Sequence, residues 1–131
     1  SEYDSENLTY CLIKNILQEY SEFNHLGVLC HTPLRSVIRN TSLMNSNERK
    51  YASNYNTHLD FLIINHVTKK PILAIETDGY NFHNNNTEQH KRDLMKDHIL
   101  EIYNLPLLRL ATTAYGEKEK IIEKLKLILS L

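Results

Sequence analysis

Two short apolar segments that carry acidic residues constrain the fold of this chain more than any other feature. The first spans residues 58–64 and the second residues 72–79. The residues between them are polar and turn-like, and Pro71 can begin a second strand. Apolar runs separated by such a segment are typical of a β-hairpin, which we predict for residues 58–78.

The acids of this hairpin indicate a shared site. If the turn is centred on Thr68, Asp60 lies opposite Glu76. Asp78 shares a strand face with Glu76, because side chains alternate with a period of two. Opposed like charges destabilise a sheet, so three converging carboxylates suggest a bound divalent cation, which prefers carboxylate oxygens. The alternative is a pair of strand ends whose acids face solvent or meet lysine and arginine.

The bulk properties indicate one globular domain. The chain has 131 residues, a length that allows a hydrophobic core. Hydrophobic residues make up 41% and charged residues 24%, a composition typical of a globular protein and not of a disordered segment. No apolar run approaches the roughly 20 residues that span a bilayer, so we expect no membrane partner and a cytoplasmic location. The net charge of −1 requires any nucleic-acid interface to concentrate positive charge locally. Cys11 and Cys30 are expected to be buried free thiols.

Hydrophobic periodicity and turn residues predict the order α-β-β-β-α-β-α. The predicted segments are a helix over 5–20, an extended segment over 26–38 broken near Pro33, the hairpin, a helix over 87–103, a strand over 106–110 and a helix after Gly116. Residues 40–57 are predicted to be a loop with room for one helical turn. Leu8 and Leu94 are expected to face inward on their helices. Both hairpin strands are apolar on both faces, which is typical of central strands covered by helices. We therefore predict an α/β fold with a mixed central sheet of about four strands.

A polar face of the helix that begins near Thr87 is a second candidate cluster. Gln89, Arg92, Asp93 and Lys96 share this face at spacings of i, i+3, i+4 and i+7. If it looks toward the hairpin acids, Lys96 or Arg92 could stabilise charge on a phosphate, and Gln89 could orient a water or a phosphate oxygen. Lys91 and Arg92 could equally be plain phosphate contacts. The alternative is the solvated face of an amphipathic helix.

Two further residues are weaker candidates on their own. His83, five residues after Asp78, could contact a phosphate, act as a general acid or base, or cap the next helix. Glu6 lies in the first turn of the first helix, where the helix dipole alone accounts for a carboxylate. It becomes a site candidate only if that helix packs beside the hairpin.

In order and spacing, the motifs of this chain resemble those of the PD-(D/E)XK nuclease superfamily. The closest resemblance is to the compact branch with very-short-patch-repair endonucleases and the nuclease-like domains at the ends of helicase-type proteins. It covers residues 5–128 and is carried by residues 60–64, 74–83, 92–93, 96–97 and 106–110. The resemblance implies a restriction-endonuclease-like three-layer α/β/α domain over residues 1–131, forming part of a larger DNA-processing protein.

The resemblance also implies site residues and a cofactor. Asp60 matches the first metal-binding aspartate and Glu76 the acidic residue of the (D/E)XK motif, which together imply Mg²⁺ or Mn²⁺. Glu6 matches the glutamate of the first helix that often completes the metal site. His83 matches the histidine after the Asp-Gly segment in the repair endonucleases, and Gln89 is placed like the helix glutamine of some relatives.

One departure from the superfamily pattern matters for the chemistry. The motif lysine is absent, because the position two residues after Glu76 holds Asp78. Lys96 could replace this lysine from the helix, or Asp78 could be a metal ligand as in the lysine-free branch. The expected function is a divalent-metal-dependent DNA endonuclease linked to a helicase-type domain, with Asp60, Glu76, Asp78, His83 and Lys96 as catalytic candidates. The alternatives are a nuclease-like module that binds nucleic acid or a protein without cutting, and a purely structural domain.

Overall fold

The computed structural model describes residues 2–78, 87–111 and 116–130, with the side chains of all of these except residues 2–5 and 78. Its elements in chain order are α1 (Glu2–Glu19), a 3₁₀ helix (Ser21–Phe23), β1 (Leu26–Pro33), α2 (Leu34–Val37), α3 (Ser46–Ser53), β2 (His58–Asn65), β3 (Pro71–Asp78), α4 (Thr87–Ile102), β4 (Leu107–Ala111) and α5 (Glu117–Leu129). The predicted element order is present, with two short helices added between β1 and β2.

The four strands form one mixed sheet in the order β1-β2-β3-β4. The first three strands pair antiparallel, whereas β3 and β4 are parallel and are joined by a crossover that includes α4. Parallel neighbours need such a crossover because both strands run in the same direction. The predicted α/β class with a mixed sheet of about four strands is confirmed.

The hairpin of β2 and β3 has the predicted register at its acidic end. Phe61 pairs with Ile75, so the next position along each strand is occupied by Asp60 and Glu76. The register shifts only between Ile63 and Ile64, close to the turn and away from the acids. The expected opposition of the two acids therefore follows from the backbone pairing.

Helices cover both faces of the sheet, and β3 shows how the faces are divided. Leu73 and Ile75 belong to a core formed with α1 and α5, whereas Ala74 belongs to a core formed with α2, α3 and α4. Glu76 follows the alternation of Ala74, because side chains in a strand repeat every two residues. The acidic end of β3 therefore faces the layer that contains α4.

The segment predicted as a loop over residues 40–57 contains the two-turn helix α3, so that prediction was wrong. Asn45 caps this helix: its side chain accepts a hydrogen bond from the Glu48 backbone N–H, and the Glu48 side chain accepts one from the Asn45 backbone N–H. This reciprocal pair is a capping box. The extended segment predicted over 26–38 was also too long, since β1 ends at Pro33 and α2 follows directly.

Some side chains predicted to be buried are exposed. Leu8 is 72% exposed and Leu94 is 54% exposed. In α1 the inward stripe runs instead through Thr9 and the residues four and seven positions after it, which places Leu8 beside the stripe. Cys11 and Cys30 are exposed rather than buried, because Cys11 lies on the outer side of α1 and Cys30 lies on β1, at the end of the strand order.

Candidate functional site

Each of the two opposed acids of the hairpin accepts hydrogen bonds from the opposite strand, Glu76 from the Asp60 backbone and Asp60 from Thr77. The Asp60 N–H donates to Glu76 Oε2 at 2.6 Å. In return, Asp60 Oδ2 accepts from the Thr77 N–H at 2.9 Å and from Thr77 Oγ1 at 3.1 Å. A carboxylate fixed by several donors has a defined orientation, so this end of the hairpin presents two acids in one rigid arrangement.

Lys96 of α4 reaches this pair of acids from the neighbouring layer. Its ammonium donates to Glu76 Oε1 and also to the His58 carbonyl oxygen at 2.8 Å. Only 11% of the Lys96 side chain and 6% of the Glu76 side chain are exposed. The contact is therefore a buried ion pair, which needs additional hydrogen bonds to offset the cost of removing both charges from water.

The environment of Glu76 raises the pKa of its carboxyl group. Burial is the main cause, since it penalises the charged form, and the negative charge of Asp60 acts in the same direction. The charge of Lys96 and the hydrogen bonds from Lys96 and the Asp60 backbone oppose this shift without cancelling it. Perturbed acids of this kind concentrate at functional sites, although structural ion pairs produce them too.

Asp78 and His83 cannot be assigned to this arrangement. The Asp78 backbone ends β3 and pairs with Ala111 of β4, but its side chain lies outside the described residues. His83 lies in the segment 79–86, also outside the described residues. Within the part of the chain that is described, no group of three or more His, Cys, Asp or Glu side chains is arranged to hold a metal ion. The roles predicted for Asp78 and His83 stay predictions.

Two histidines connect Glu6 of α1 with the acidic pair. Glu6 Oε2 lies 3.1 Å from His31 Nε2 on β1. The ring of His31 is 5.0 Å from the ring of His58, measured between centroids. His58 Nε2 is in turn 3.8 Å from Asp60 Oδ1. The first helix thus reaches the site through β1 and not by direct contact between Glu6 and the acids.

Sequence reasoning missed both histidines as site residues. For His58 a signal was present, because it stands two residues before Asp60 and therefore on the same strand face. For His31 there was none in the local sequence. Its backbone φ is +49°, a left-handed conformation that non-glycine residues seldom adopt and that concentrates at functional sites.

The residues predicted to bind DNA lie on the exposed first turns of α4. Gln89, Lys91 and Arg92 are all exposed. Arg92 Nη2 donates to Gln89 Oε1 at 3.0 Å, and Gln89 Nε2 donates to Asp93 Oδ1 at 3.0 Å. The predicted shared face of α4 therefore exists, and it runs from the buried Lys96 out to solvent.

Arg109 of β4 anchors α4 beside the acids, a role that sequence reasoning did not assign. It stands next to Glu76 in the parallel register of β3 and β4. Its guanidinium donates to Asp97 Oδ1 from Nη2 at 2.6 Å and from Nε at 3.1 Å. Consecutive helix residues, Lys96 and Asp97, thus bind oppositely charged residues on adjacent strands, which fixes how α4 lies on the sheet.

Comparison with known protein families gives one result. The family model DUF2726, described as a protein of unknown function, matches residues 2–128, and the chain belongs to this family. No curated protein and no solved structure is matched. Of the helices in the described ranges, none combines the length and apolar character needed to cross a membrane.

Proposed function

We propose that this DUF2726 domain is a divalent-metal-dependent DNA endonuclease domain of the PD-(D/E)XK type. The observation that carries the proposal is the buried ammonium of Lys96 against Glu76, in a chain whose motif lysine position holds Asp78. Lys96 lies on helix α4 and places a positive charge beside Glu76, whereas strand β3 has no lysine at the motif position. Such a charge beside two acids is suited to stabilising the negative charge that develops on a phosphate under attack.

The topology agrees with a restriction-endonuclease-like three-layer α/β/α fold. A β2–β3 hairpin carries the acids, a helix crosses over from β3, and β4 returns parallel to β3. Helices of both neighbouring layers cover the sheet. Since one fold can serve many functions, this agreement supports the proposal less than the contact between Lys96 and Glu76 does.

The donor set of the site fits a hard divalent cation such as Mg²⁺ or Mn²⁺. Asp60 and Glu76 provide carboxylate oxygens, and 18% of the Asp60 side chain is exposed, so an ion can reach it from solvent. When bound, such an ion acts as a Lewis acid toward a phosphate and lowers the pKa of a coordinated water. Asp78 stays a proposed third ligand and Glu6 a more distant candidate.

The protein's own residues divide the remaining tasks. Thr77 and the Asp60 backbone orient the two carboxylates. Lys96 holds a positive charge beside Glu76, and His83 is proposed to contact the scissile phosphate. On the exposed turns of α4, Gln89, Lys91 and Arg92 are proposed to contact the DNA backbone. We infer that the domain works in the cytoplasm as the nuclease part of a helicase-linked DNA-repair or defence protein.

A nuclease-like module that binds without cutting is the second candidate. One observation favours it: both Glu76 oxygens already accept hydrogen bonds, Oε1 from Lys96 and Oε2 from the Asp60 N–H. A metal ion on Glu76 would therefore have to share an oxygen with one of these donors or displace it. The net charge of −1 also offers little general attraction to DNA.

The deciding experiment is a cleavage assay on supercoiled and single-stranded DNA with Mg²⁺ or Mn²⁺. The wild type is compared with Glu76→Gln, which keeps the size of the side chain, and with Glu101→Gln, an exposed position on α4. We expect metal-dependent cleavage that falls by about 10²-fold or more in Glu76→Gln and is unchanged in Glu101→Gln. Equal activity in all three proteins would exclude Glu76 from catalysis. Salt-dependent DNA binding without cleavage would favour the binding module, and no binding at any salt would favour a structural domain.

A further inference from the structure

The hydrogen bonds of the acidic pair determine which oxygen can accept a cation most easily. Glu76 Oε1 and Oε2 bind Lys96 and the Asp60 N–H. Asp60 Oδ2 binds the N–H and the hydroxyl of Thr77. The remaining carboxylate oxygen, Asp60 Oδ1, points toward His58 Nε2 at 3.8 Å. Among the described contacts, Asp60 Oδ1 is thus the carboxylate oxygen of the pair without a hydrogen bond, and a cation binds most easily there, on the side that faces His58.

The hydrogen bond on the far side of the His58 ring defines its tautomer. His58 Nδ1 lies 3.0 Å from the Asn56 carbonyl oxygen, and a carbonyl oxygen can only accept, so Nδ1 carries the proton. The neutral ring then presents a lone pair at Nε2, toward Asp60. Metal-binding histidines are oriented in the same way, with the other ring N–H donated to a carboxylate or a backbone carbonyl.

The spacing of the two atoms suits two ligands of one ion. At 3.8 Å they are too far apart for a direct hydrogen bond. An ion bonded to both at about 2.1 Å would hold them roughly 3.0 to 4.2 Å apart, depending on the angle at the metal. The site is open on this side, because 40% of the His58 side chain and 55% of the His31 side chain are exposed. Water or substrate can therefore complete the coordination.

His31 supports this position of His58. Its ring lies against that of His58, and its Nε2 is bonded to Glu6. The positive φ of His31 occurs within β1 between Cys30, which pairs with Phe61, and Thr32, which pairs with Leu59. The strained residue is therefore the one opposite Asp60.

We propose that Asp60 Oδ1 and His58 Nε2 are an oxygen and a nitrogen ligand of one divalent ion, and that the site takes an imidazole-binding transition ion such as Mn²⁺, Co²⁺, Ni²⁺ or Zn²⁺ in preference to Mg²⁺. Mg²⁺ is bound mainly by oxygen, whereas transition ions accept imidazole nitrogen. No third His, Cys, Asp or Glu side chain from the described part of the chain converges on this point. The catalytic meaning of the ion rests on the function proposed above, but its ligands can be identified without DNA.

The test is pulsed electron paramagnetic resonance on the full chain loaded with Mn²⁺, together with Mn²⁺, Co²⁺ and Mg²⁺ affinities from titration calorimetry. Directly bound imidazole couples the electron spin to nitrogen. We expect ¹⁴N modulation in the wild type that changes to the ¹⁵N pattern when the histidines are ¹⁵N-labelled. We also expect both transition ions to bind more tightly than Mg²⁺.

The variant His58→Gln should lose the nitrogen coupling. It should also bind Mn²⁺ about tenfold more weakly or worse, because even the loss of a residue that only supports a metal ligand weakens metal binding by this much. The matched control is His66→Gln, because His66 is exposed and lies just beyond the other end of β2. The measurement on the ¹⁵N-labelled wild type tests the inference even if a variant fails to fold.

The outcomes separate this inference from the proposed nuclease function. Nitrogen coupling that His58→Gln abolishes, without DNA cleavage, would support the inference and contradict the nuclease. Mg²⁺-dependent cleavage without nitrogen coupling would support the nuclease and overturn the inference. The absence of Mn²⁺ and Co²⁺ binding, or coupling that survives in His58→Gln, would also overturn it.

Discussion

Two buried glutamates of the α4 layer have similar contacts, but their pKa values shift in opposite directions. Glu48 of α3 is contacted by His98, and Glu76 of β3 is contacted by Lys96. Their side chains are 5% and 6% exposed, respectively. Nevertheless the pKa of Glu48 is lowered, whereas the pKa of Glu76 is raised.

The difference lies in what surrounds each carboxylate. At Glu48 burial opposes ionisation, but the backbone hydrogen bond of Asn45 together with the bond and charge of His98 outweighs it. At Glu76 burial prevails, and the neighbouring charge of Asp60 adds to it. Glu48 is held as the anion of a helix cap, which is a structural task. Glu76 is held in an environment that resists its negative charge, which the cation proposed above would offset.

The largest effect should follow from removing the cation at Glu76. Lys96→Met leaves a buried carboxylate without its partner, and we expect the free energy of unfolding to fall by about 3–5 kcal/mol at pH 7. Urea denaturation of the purified domain measures this loss. The double variant Lys96→Met/Glu76→Gln should recover much of it, because both charges are then absent. If the single variant is as stable as the wild type, the ion pair is not buried in solution.

A smaller effect, of opposite sign at the two glutamates, should appear in the pH dependence of stability. The raised pKa of Glu76 means that the folded state binds its proton more tightly than the unfolded state does. The stability that Glu76 gains from this tighter proton binding is therefore present below the ordinary glutamate pKa. It is lost as the pH rises through the pKa of the folded state. We expect Glu76→Gln to gain stability relative to wild type as the pH rises through this window, as measured by denaturation at several pH values.

Glu48 should respond in the other direction. Its pKa is lowered in the folded state, so its stabilising contribution is present above the ordinary glutamate pKa and is lost as the pH falls through the folded-state value. In the same pH series, Glu48→Gln should be less stable than wild type near neutrality and should approach it in acid. Parallel pH profiles for the two variants would contradict the contrast between the glutamates.

A loss of about 1 kcal/mol is expected when the cap of α3 is removed by Asn45→Ala. The Glu48 backbone N–H would lose its acceptor, whereas the backbone N–H of residue 45, which donates to the Glu48 side chain and lowers its pKa, is kept by alanine. Thermal or urea unfolding measures the change. Asn40→Ala is a suitable comparison, because the exposed Asn40 side chain accepts a similar hydrogen bond, from the Ser42 N–H at 2.9 Å, outside any helix or strand of the described chain. An equal loss of unfolding free energy in both variants would show that the capping box stabilises the fold no more than an ordinary turn hydrogen bond does.

The smallest effect on stability, within about 0.5 kcal/mol, is expected for Lys91→Ala. Lys91 is exposed, and its ion pair with Glu88 at 3.6 Å joins two side chains that are 69% and 70% exposed. If α4 binds the DNA backbone, the variant should nevertheless weaken DNA binding for every sequence. The slope of log affinity against log salt concentration should become smaller by about one. Fluorescence anisotropy at several salt concentrations tests this. An unchanged salt slope would remove Lys91 from the interface.

Local patterns predicted the framework of the fold well. Alternating apolar residues and a central turn predicted the hairpin and the opposition of Asp60 and Glu76. Helical periodicity located α1, α4 and α5, with errors where a residue such as Leu94 borders the inward stripe. The helix α3 was missed because its segment has little apolar periodicity, although the spacing of Asn45 and Glu48 was a readable capping signal.

The sequence by itself determined the strands, the main helices and the register that opposes two acids, because these depend on side-chain alternation and turn chemistry within a few residues. Only the tertiary structure decided that Lys96 meets Glu76 across 20 positions of the chain and that His31 meets Glu6 across 25. Such contacts depend on how α4 and α1 lie on the sheet and on a backbone conformation at His31 that no local pattern requires. The framework is therefore a local property of this chain, whereas the chemistry of its candidate site arises from packing between layers.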